Sequence, residues 1–309
     1  MSHPPQPSRN NPDWNEIWKE RQKRHESSKH FDDPSHNWNR RENAERYDST
    51  SRSEYDDRVK TTIAGLDITK NSRVLDIGAG PGTLAIPLAP LVNEITSVEP
   101  GGGMVDILKE HMKKKGITNV TTIQKRWEDI DPARDLAGQY DVVIASLSLT
   151  MEDIRLALQK MDAVSQGYVY LFWFVDMPFW EKMYADLWEP LHGSEYHPGP
   201  KADCLFGVLY QLGIYANVEM LPLKKEYRFT TLDEMTSFFR RRFNVMTDEQ
   251  ERVMADYLRP LIRTKGPDVV ISGESTFAKI WWRKDRKKVM KFERGLMLAK
   301  LPDPPHRFL

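Results

Sequence analysis

The stretch Val74-Leu-Asp-Ile-Gly-Ala-Gly-Pro-Gly-Thr-Leu-Ala-Ile86 constrains the fold of this chain more than any other. Apolar and β-branched residues run into Asp76, glycines follow at 78, 80 and 82, and a second apolar run begins, the pattern of strand, tight loop and helix. Only a residue without Cβ lets the backbone turn so sharply and come close to a ligand, and the following helix offers free N–H groups. The spacing is G-x-G-x-G rather than the dinucleotide fingerprint G-x-G-x-x-G, which disfavours an NAD-dependent oxidoreductase.

The residues downstream extend the pattern. An apolar strand, Glu94 to Val98, ends at Glu99, twenty-three positions after Asp76, where a carboxylate can accept hydrogen bonds from both hydroxyls of a ribose. Further strands are predicted at Asn119 to Ile123, Tyr140 to Ser146 and Tyr168 to Phe174, the last apolar throughout as a buried central strand should be. Strand and helix alternate at βαβ spacing. Pro87 and Pro90 should shorten or kink the helix after the glycine turn.

Val74 to Gly82, Val98-Glu-Pro100 with Met104, Arg126-Trp-Glu-Asp129 and Asp141 to Ala145 together resemble the ordered motifs of class I S-adenosylmethionine-dependent methyltransferases, over roughly Ser72 to Phe174. The resemblance implies an α/β fold: a doubly wound, seven-stranded, mostly parallel Rossmann-like sheet, with an N-terminal helical lid and a helical insertion before the last strand. It implies S-adenosylmethionine as cofactor. Gly78, Gly80 and Gly82 would surround its methionine part, with Asp76 reaching it through water or backbone. Glu99 and Pro100 would lie at the ribose, Met104 against the adenine, and the backbone and ring of Trp127, with Arg126 and Glu128, at the adenine edge. Two departures stand out. Arg126 occupies a position where many relatives carry an Asp that binds the adenine amine, and Gly101-Gly-Gly103 replaces the usual cap of the next helix.

On this reading residues 1–67 are tail and lid, 68–283 the cofactor-binding domain and 284–309 a basic tail. Within the domain, 176–215 and 231–265 carry acceptor-side and inserted helices. Asn11-Pro12 reads as a helix start that leads into Trp14 and Trp18, spaced to pack on one face. Ser27 to Asn37 reads as loop, and helices follow near Trp38 to Asp48 and Glu54 to Gly65, the latter striped with Tyr55, Val59, Ile63 and Leu66. Tyr47 has two readings, glue between lid and core or a contact near the reacting methyl. Ser146 and Ser148, at a strand end, either line the site or cap the next helix.

Beyond Val175 come a stripe of Trp180, Tyr184 and Trp188, a loop with His192, Glu195 and His197, and a helix over Asp203 to Tyr215. A sixth strand is predicted from Asn217 to Phe229. Two helices with capping boxes, Thr231-x-x-Glu234 and Thr247-x-x-Gln250, precede a last, antiparallel strand from Thr276 to Trp282.

Methyl transfer is an in-line displacement, so the protein must align the acceptor and exclude water, and a general base matters only for an alcohol, phenol or carbon acid. Tyr47, His192 and His197 are the catalytic candidates, with Glu195 and Asp176 as further acids. Rings at Tyr47, Trp173 or Trp180 could face the sulfonium. The two histidines also admit a packing role or a metal, although no third ligand stands at recognisable spacing.

Of the 309 residues, 45 are basic and 45 acidic, so no net field draws the chain to nucleic acid or an anionic membrane. A single cysteine, Cys204, and a polar N-terminus without a signal peptide's apolar core place the protein in the cytoplasm. The longest apolar run, Tyr168 to Val175, falls far short of the ~20 residues that span a bilayer. A methyltransferase acting on a small molecule, as monomer or homodimer, is the expected function. The alternatives are a protein or RNA methyltransferase and a non-catalytic cofactor sensor or assembly protein.

Overall fold

The computed structural model describes residues 12–28, 38–54 and 56–284, the side chains of 50–57 excepted. Asn11, Tyr55, the histidines and acids of the 29–37 stretch, and the basic tail beyond 284 lie outside the described residues.

Among the described residues three helices precede the sheet: α1 (Trp14–Ser28), α2 (Arg41–Glu54) and α3 (Asp56–Ala64). The cap of α1 is Asp13, one step after Pro12: its Oδ1 accepts the amides of Asn15 and Glu16 at 3.0 and 3.5 Å. Then come β1 (Arg73–Ile77), α4 (Ala85–Leu88), β2 (Glu94–Val98), α5 (Gly102–Lys115), β3 (Val120–Ile123), α6 (Pro132–Asp135), β4 (Tyr140–Ser146), α7 (Ile154–Val164) and β5 (Ser165–Phe174). As the two prolines require, α4 has only four residues and passes directly into a 3-10 turn, Ala89–Leu91. The chain continues through α8 (Phe179–His192), α9 (Ala202–Gln211), β6 (Asn217–Phe229), α10 (Leu232–Arg242), α11 (Asp248–Leu258), β7 (Ile262–Lys265) and β8 (Asp268–Arg283).

The sheet order is β3-β2-β1-β4-β5-β8-β6, with β7 on β8. Strands β1 to β5 run parallel and β8 pairs antiparallel with β5, β6 and β7. The fold is therefore the Rossmann-like α/β arrangement, with eight strands among the described residues instead of seven. The added strand β7 is short and largely exposed, and it forms because Gly266-Pro267 closes a two-residue hairpin, Gly266 adopting φ 64°. The same hairpin starts β8 at Asp268, eight residues before Thr276, so 262–265 is strand rather than inserted helix.

Each face of the parallel sheet carries its own core. One face packs Leu75, Val143, Val169 and Leu171 under α1, α7 and α9; the other packs Val74, Ile95, Val142 and Phe172 under α3 and α4. A third cluster, including Met183, Tyr227 and Phe239, joins α8, α10 and α11 to β6. The Thr247 box forms in full. At Thr231 half of it shifts: the hydroxyl accepts the Glu234 amide, but Glu234 reaches back one residue further, to the amide and hydroxyl of Thr230.

Trp18 fastens α1 to this framework. Its ring is fully buried, lies 6.1 Å from that of Trp173, and donates its Nε1–H to the Met151 carbonyl at 2.8 Å. Replacing it leaves a large cavity and an orphaned carbonyl. Trp18→Ala should cost about 3–5 kcal/mol in urea unfolding; a loss below about 1 kcal/mol would show that α1 is not integral to the core.

Candidate active site

Sheet order reverses between β1 and β4, and ligands of doubly wound sheets bind outside the carboxyl ends of strands at such a switch point. Here the chain leaves β1 through the glycine turn. Gly78, Gly80 and Gly82 all have positive φ, at 72°, 56° and 89°. A Cβ on Gly78 would lie 2.2 Å from that of Ser148, whereas one on Gly80 would meet nothing within 4 Å. Gly78 thus serves a close packing contact, and Gly80 borders open space.

That space is a cleft of about 300 Å³, including the part open to solvent, lined by Tyr47, Arg58, Asp76, Gly78, Ala79, Gly80, Thr83, Leu84 and Ser146. Three separate regions meet in it: the lid, the glycine turn and the end of β4. Asp76 is buried, and its Oδ2 has no hydrogen-bond partner among the described residues. Burial, reinforced by the nearby Glu99 carboxylate and opposed by Arg58, pushes its pKa up to about 7. Glu99, also buried, accepts the Gly80 amide on Oε2 at 2.9 Å and the Gly101 amide on Oε1 at 2.8 Å. Its pKa is raised by burial, against which both amide bonds work. Glu99 is not on the cleft's lining; it touches the cleft through Gly80.

Arg58, on α3, carries charge to this acidic pair and donates to Ser146 Oγ at 3.0 Å. It has no motif of its own, and the only hint in the sequence is a cation flanking the apolar stripe of its helix. Burial raises the Tyr47 pKa, so the phenol is a hydroxyl donor at neutral pH, unsuited to act as a base. Ser148 donates to the Ile77 carbonyl at 2.6 Å, and α7 is capped by Asp153, so neither strand-end serine is a helix cap.

The three consecutive glycines find their reason in the lid. A Cβ on Gly101 would fall 2.6 Å from the Cβ of Trp38, and one on Gly103 2.9 Å from the Trp38 carbonyl oxygen. The cap missing from α5 arrives from the same segment: Asn39 Oδ1 accepts the Gly102 amide at 3.0 Å. Trp38 and Tyr47, ring centroids 5.2 Å apart, then pack with Ala44 on Met104 and Ile107. Arg41 grips Glu110 through both its NH groups, and His111 Nε2 lies 3.1 Å from both Asp48 oxygens, so α2 is strapped along α5.

Other expected residues lie elsewhere. The Trp127 ring is sunk in the core, where its Nε1–H bonds the Ala157 carbonyl at 3.2 Å. Arg126 is exposed and forms a bidentate pair with Asp129, and Glu128 and Pro100 are exposed. His192, the proposed base, is 2.9 Å from the Phe243 carbonyl through Nε2 and packs 4.5 Å from the Trp188 ring, a joint between α8 and α10. His197 borders a second cleft. Trp173 donates to the Pro200 carbonyl within the core, and Asp176 is exposed beside Lys182. Proximity in the sequence had grouped His192 with His197, but α8 ends at His192 and the chain turns at Gly193, so the two separate. Among the described residues no three His, Cys, Asp or Glu side chains are placed to hold a metal, and no helix is long and apolar enough to cross a membrane.

Two consequences can be measured. An acid whose folded pKa lies above its unfolded value keeps its proton longer when folded, so stability falls as pH rises from the ordinary carboxylate range to about 7. Asp76→Asn should therefore raise the stability of the ligand-free protein by roughly 2 to 4 kcal/mol at pH 8 and have little effect near pH 4; equal gains at both would refute the assignment. Gly101→Ala should push the Trp38 segment away, seen as faster hydrogen exchange over 38–54 with the sheet unchanged; unchanged exchange in the lid would refute the close fit.

Comparison with known proteins gives these features relatives. Residues 74–166 match a family model described as a methyltransferase domain. An uncharacterized protein of Haemophilus influenzae is 27% identical over 226 residues, which cover 72% of this chain and 81% of that protein. A probable ribosomal RNA small subunit methyltransferase A of Methanosphaera stadtmanae is 32% identical over 92 residues, 30% of this chain, and the chain spans only 32% of that relative's length. The crystal structure of a putative methyltransferase from Bacillus halodurans superposes with a TM-score of 0.50 at 15% identity, covering 73% of this chain and 97% of that one, a likeness of fold. The glycine turn and the acid-ended second strand thus lie within residues 74–166, which match a methyltransferase domain, and the sheet around them has the Rossmann-like α/β fold.

Proposed function

We infer that the cleft at the glycine turn holds S-adenosylmethionine and that the chain passes its methyl group to a small-molecule acceptor. The observation that carries the cofactor assignment is the unsatisfied Oδ2 of buried Asp76, beside open space at Gly80 and opposite Arg58. A free amino-acid group carries an ammonium and a carboxylate at neutral pH. Asp76 suits the first and Arg58 the second, and a charge-assisted partner would offset the desolvation that raises the Asp76 pKa. Glu99 keeps acceptor capacity after its two amide bonds, because an ionised carboxylate offers about four lone-pair sites, so it can also take ribose hydroxyls. Met104, held in the cluster under Trp38, suits an apolar ring face.

When bound, the cofactor supplies an electrophilic methyl on a sulfonium; the acceptor's lone pair forms the new bond while the carbon–sulfur bond breaks and its pair stays on sulfur. The chain's own share is placement and exclusion of water. Tyr47, backed by Trp38, and Arg58 line the cleft from the lid, and the straps from α2 to α5 hold that side down. Such an enclosure suits an acceptor small enough to be buried. The ribosomal RNA relative aligns over less than a third of this chain and so bears on the cofactor half more than on the acceptor.

Titration of the purified chain with S-adenosylhomocysteine and with NAD should show binding of the first alone. Glu99→Ala should weaken it by about 1.5–3 kcal/mol, the loss of a charged hydrogen-bond partner; unchanged affinity would remove Glu99 from the site. With methyl-labelled S-adenosylmethionine and a cell extract, label should appear among small molecules, and label confined to ribosomal RNA would overturn the acceptor class.

A further inference from the structure

A second cleft is made of different chemistry. It encloses about 520 Å³, including the part open to solvent, and is lined by Arg21, Arg24, Met177, His197, Pro198, Gly199 and Lys201. Met177 lies three residues past the end of β5, and Ser146, on the lining of the first cleft, ends the adjacent parallel strand β4. Both clefts therefore stand at the carboxyl edge of the sheet, on neighbouring strands.

The walls are built rather than incidental. Trp18 anchors α1 against Trp173, and Arg21 and Arg24 follow it three and six residues on. Ser28, at the end of the same helix, accepts the His197 amide at 3.0 Å; His25 Nδ1 lies 2.9 Å from the His197 carbonyl oxygen. The opposite side is fixed by Glu181, which holds the Gly199 amide at 3.2 Å and the Lys201 ammonium at 2.8 Å. Arg21 pairs with Asp203 at 2.6 Å, and Arg24 with Glu20. None of these three acids lines the cleft, so three cations and a histidine face it with no carboxylate among its described lining residues. Two guanidinium forks and an ammonium are the groups that bind carboxylate and phosphate oxygens best.

We propose that this cleft is the acceptor's subsite, and that the acceptor is a small molecule anchored there by a carboxylate or phosphate group on Arg21, Arg24 and Lys201. The proposal rests on the small-molecule methyltransferase reading and narrows its acceptor class. It also gives His197 a place at the rim of the acceptor rather than beside the cofactor, which is where the geometry leaves it.

Calorimetric titration of the full chain, saturated with S-adenosylhomocysteine, with orthophosphate and separately with succinate tests it. One anion or both should bind at one site per chain, and the better ligand tells phosphate from carboxylate chemistry. Arg21→Gln and Arg24→Gln, both at exposed side chains, should each weaken that binding about tenfold. Affinity for S-adenosylhomocysteine should stay unchanged. Lys114→Gln, at an exposed position in the last turn of α5, is the control and should change neither. Absence of anion binding, or an equal loss in the Lys114 variant, overturns the acceptor subsite while leaving the cofactor reading intact. Failure of the wild-type chain to bind S-adenosylhomocysteine overturns both.

Discussion

Two carboxylates share one dry corner of this protein, and much of its architecture answers to them. Asp76 and Glu99 close neighbouring strands, β1 and β2, whose parallel pairing brings both to the same edge. Burying two like charges side by side is expensive, and burial ranks first in raising the pKa of each. The molecule moderates that cost in three ways. Backbone amides of Gly80 and Gly101 point at Glu99, a guanidinium from α3 stands near Asp76, and the proton can return to Asp76 near neutrality. A site that is unfavourable when empty is one that a cationic ligand relieves.

The lid follows from the same corner. The Gly101 amide that serves Glu99 belongs to a three-glycine step, and side chains there would strike Trp38. The sequence alone presents those glycines as a defect in the start of α5. In the folded chain they are the bed into which the lid's backbone presses, and Asn39 returns the missing cap from 63 residues away. Lid, helix start and carboxylate are thus held together through one glycine step.

What could be read before folding was whatever depends on local pattern. Strand β6 runs from Asn217 to Phe229 as expected, β1, β2 and β4 follow their apolar runs, and the prolines truncate α4. Features set by distant partners were not legible. Arg58 is an ordinary surface-type residue until β4 brings Ser146 to it, 88 positions on. Trp127 sits in a motif that suggests ligand contact, but α7 offers its ring a carbonyl partner and a closed core. His192 and His197 are close in the chain, and a helix end with Gly193 in the left-handed region is enough to send them to different neighbours. The β7 hairpin was signalled by Gly266-Pro267, but four residues with one apolar side chain carry little periodicity.

The attachment of α1 also has a meaning in time. The helix is made early, yet its partners come late: Trp18 bonds residue 151, and the segment from Pro12 to Trp14 closes on Gln211 in both directions. A ribosome adding about 5–20 residues per second needs roughly ten to forty seconds to deliver that stretch. Trp18 meets its partners Met151 and Trp173 within that interval, and the contacts to Gln211 come last. Until α9 emerges, α1 therefore lacks the partner that Pro12 and Trp14 meet in the folded chain.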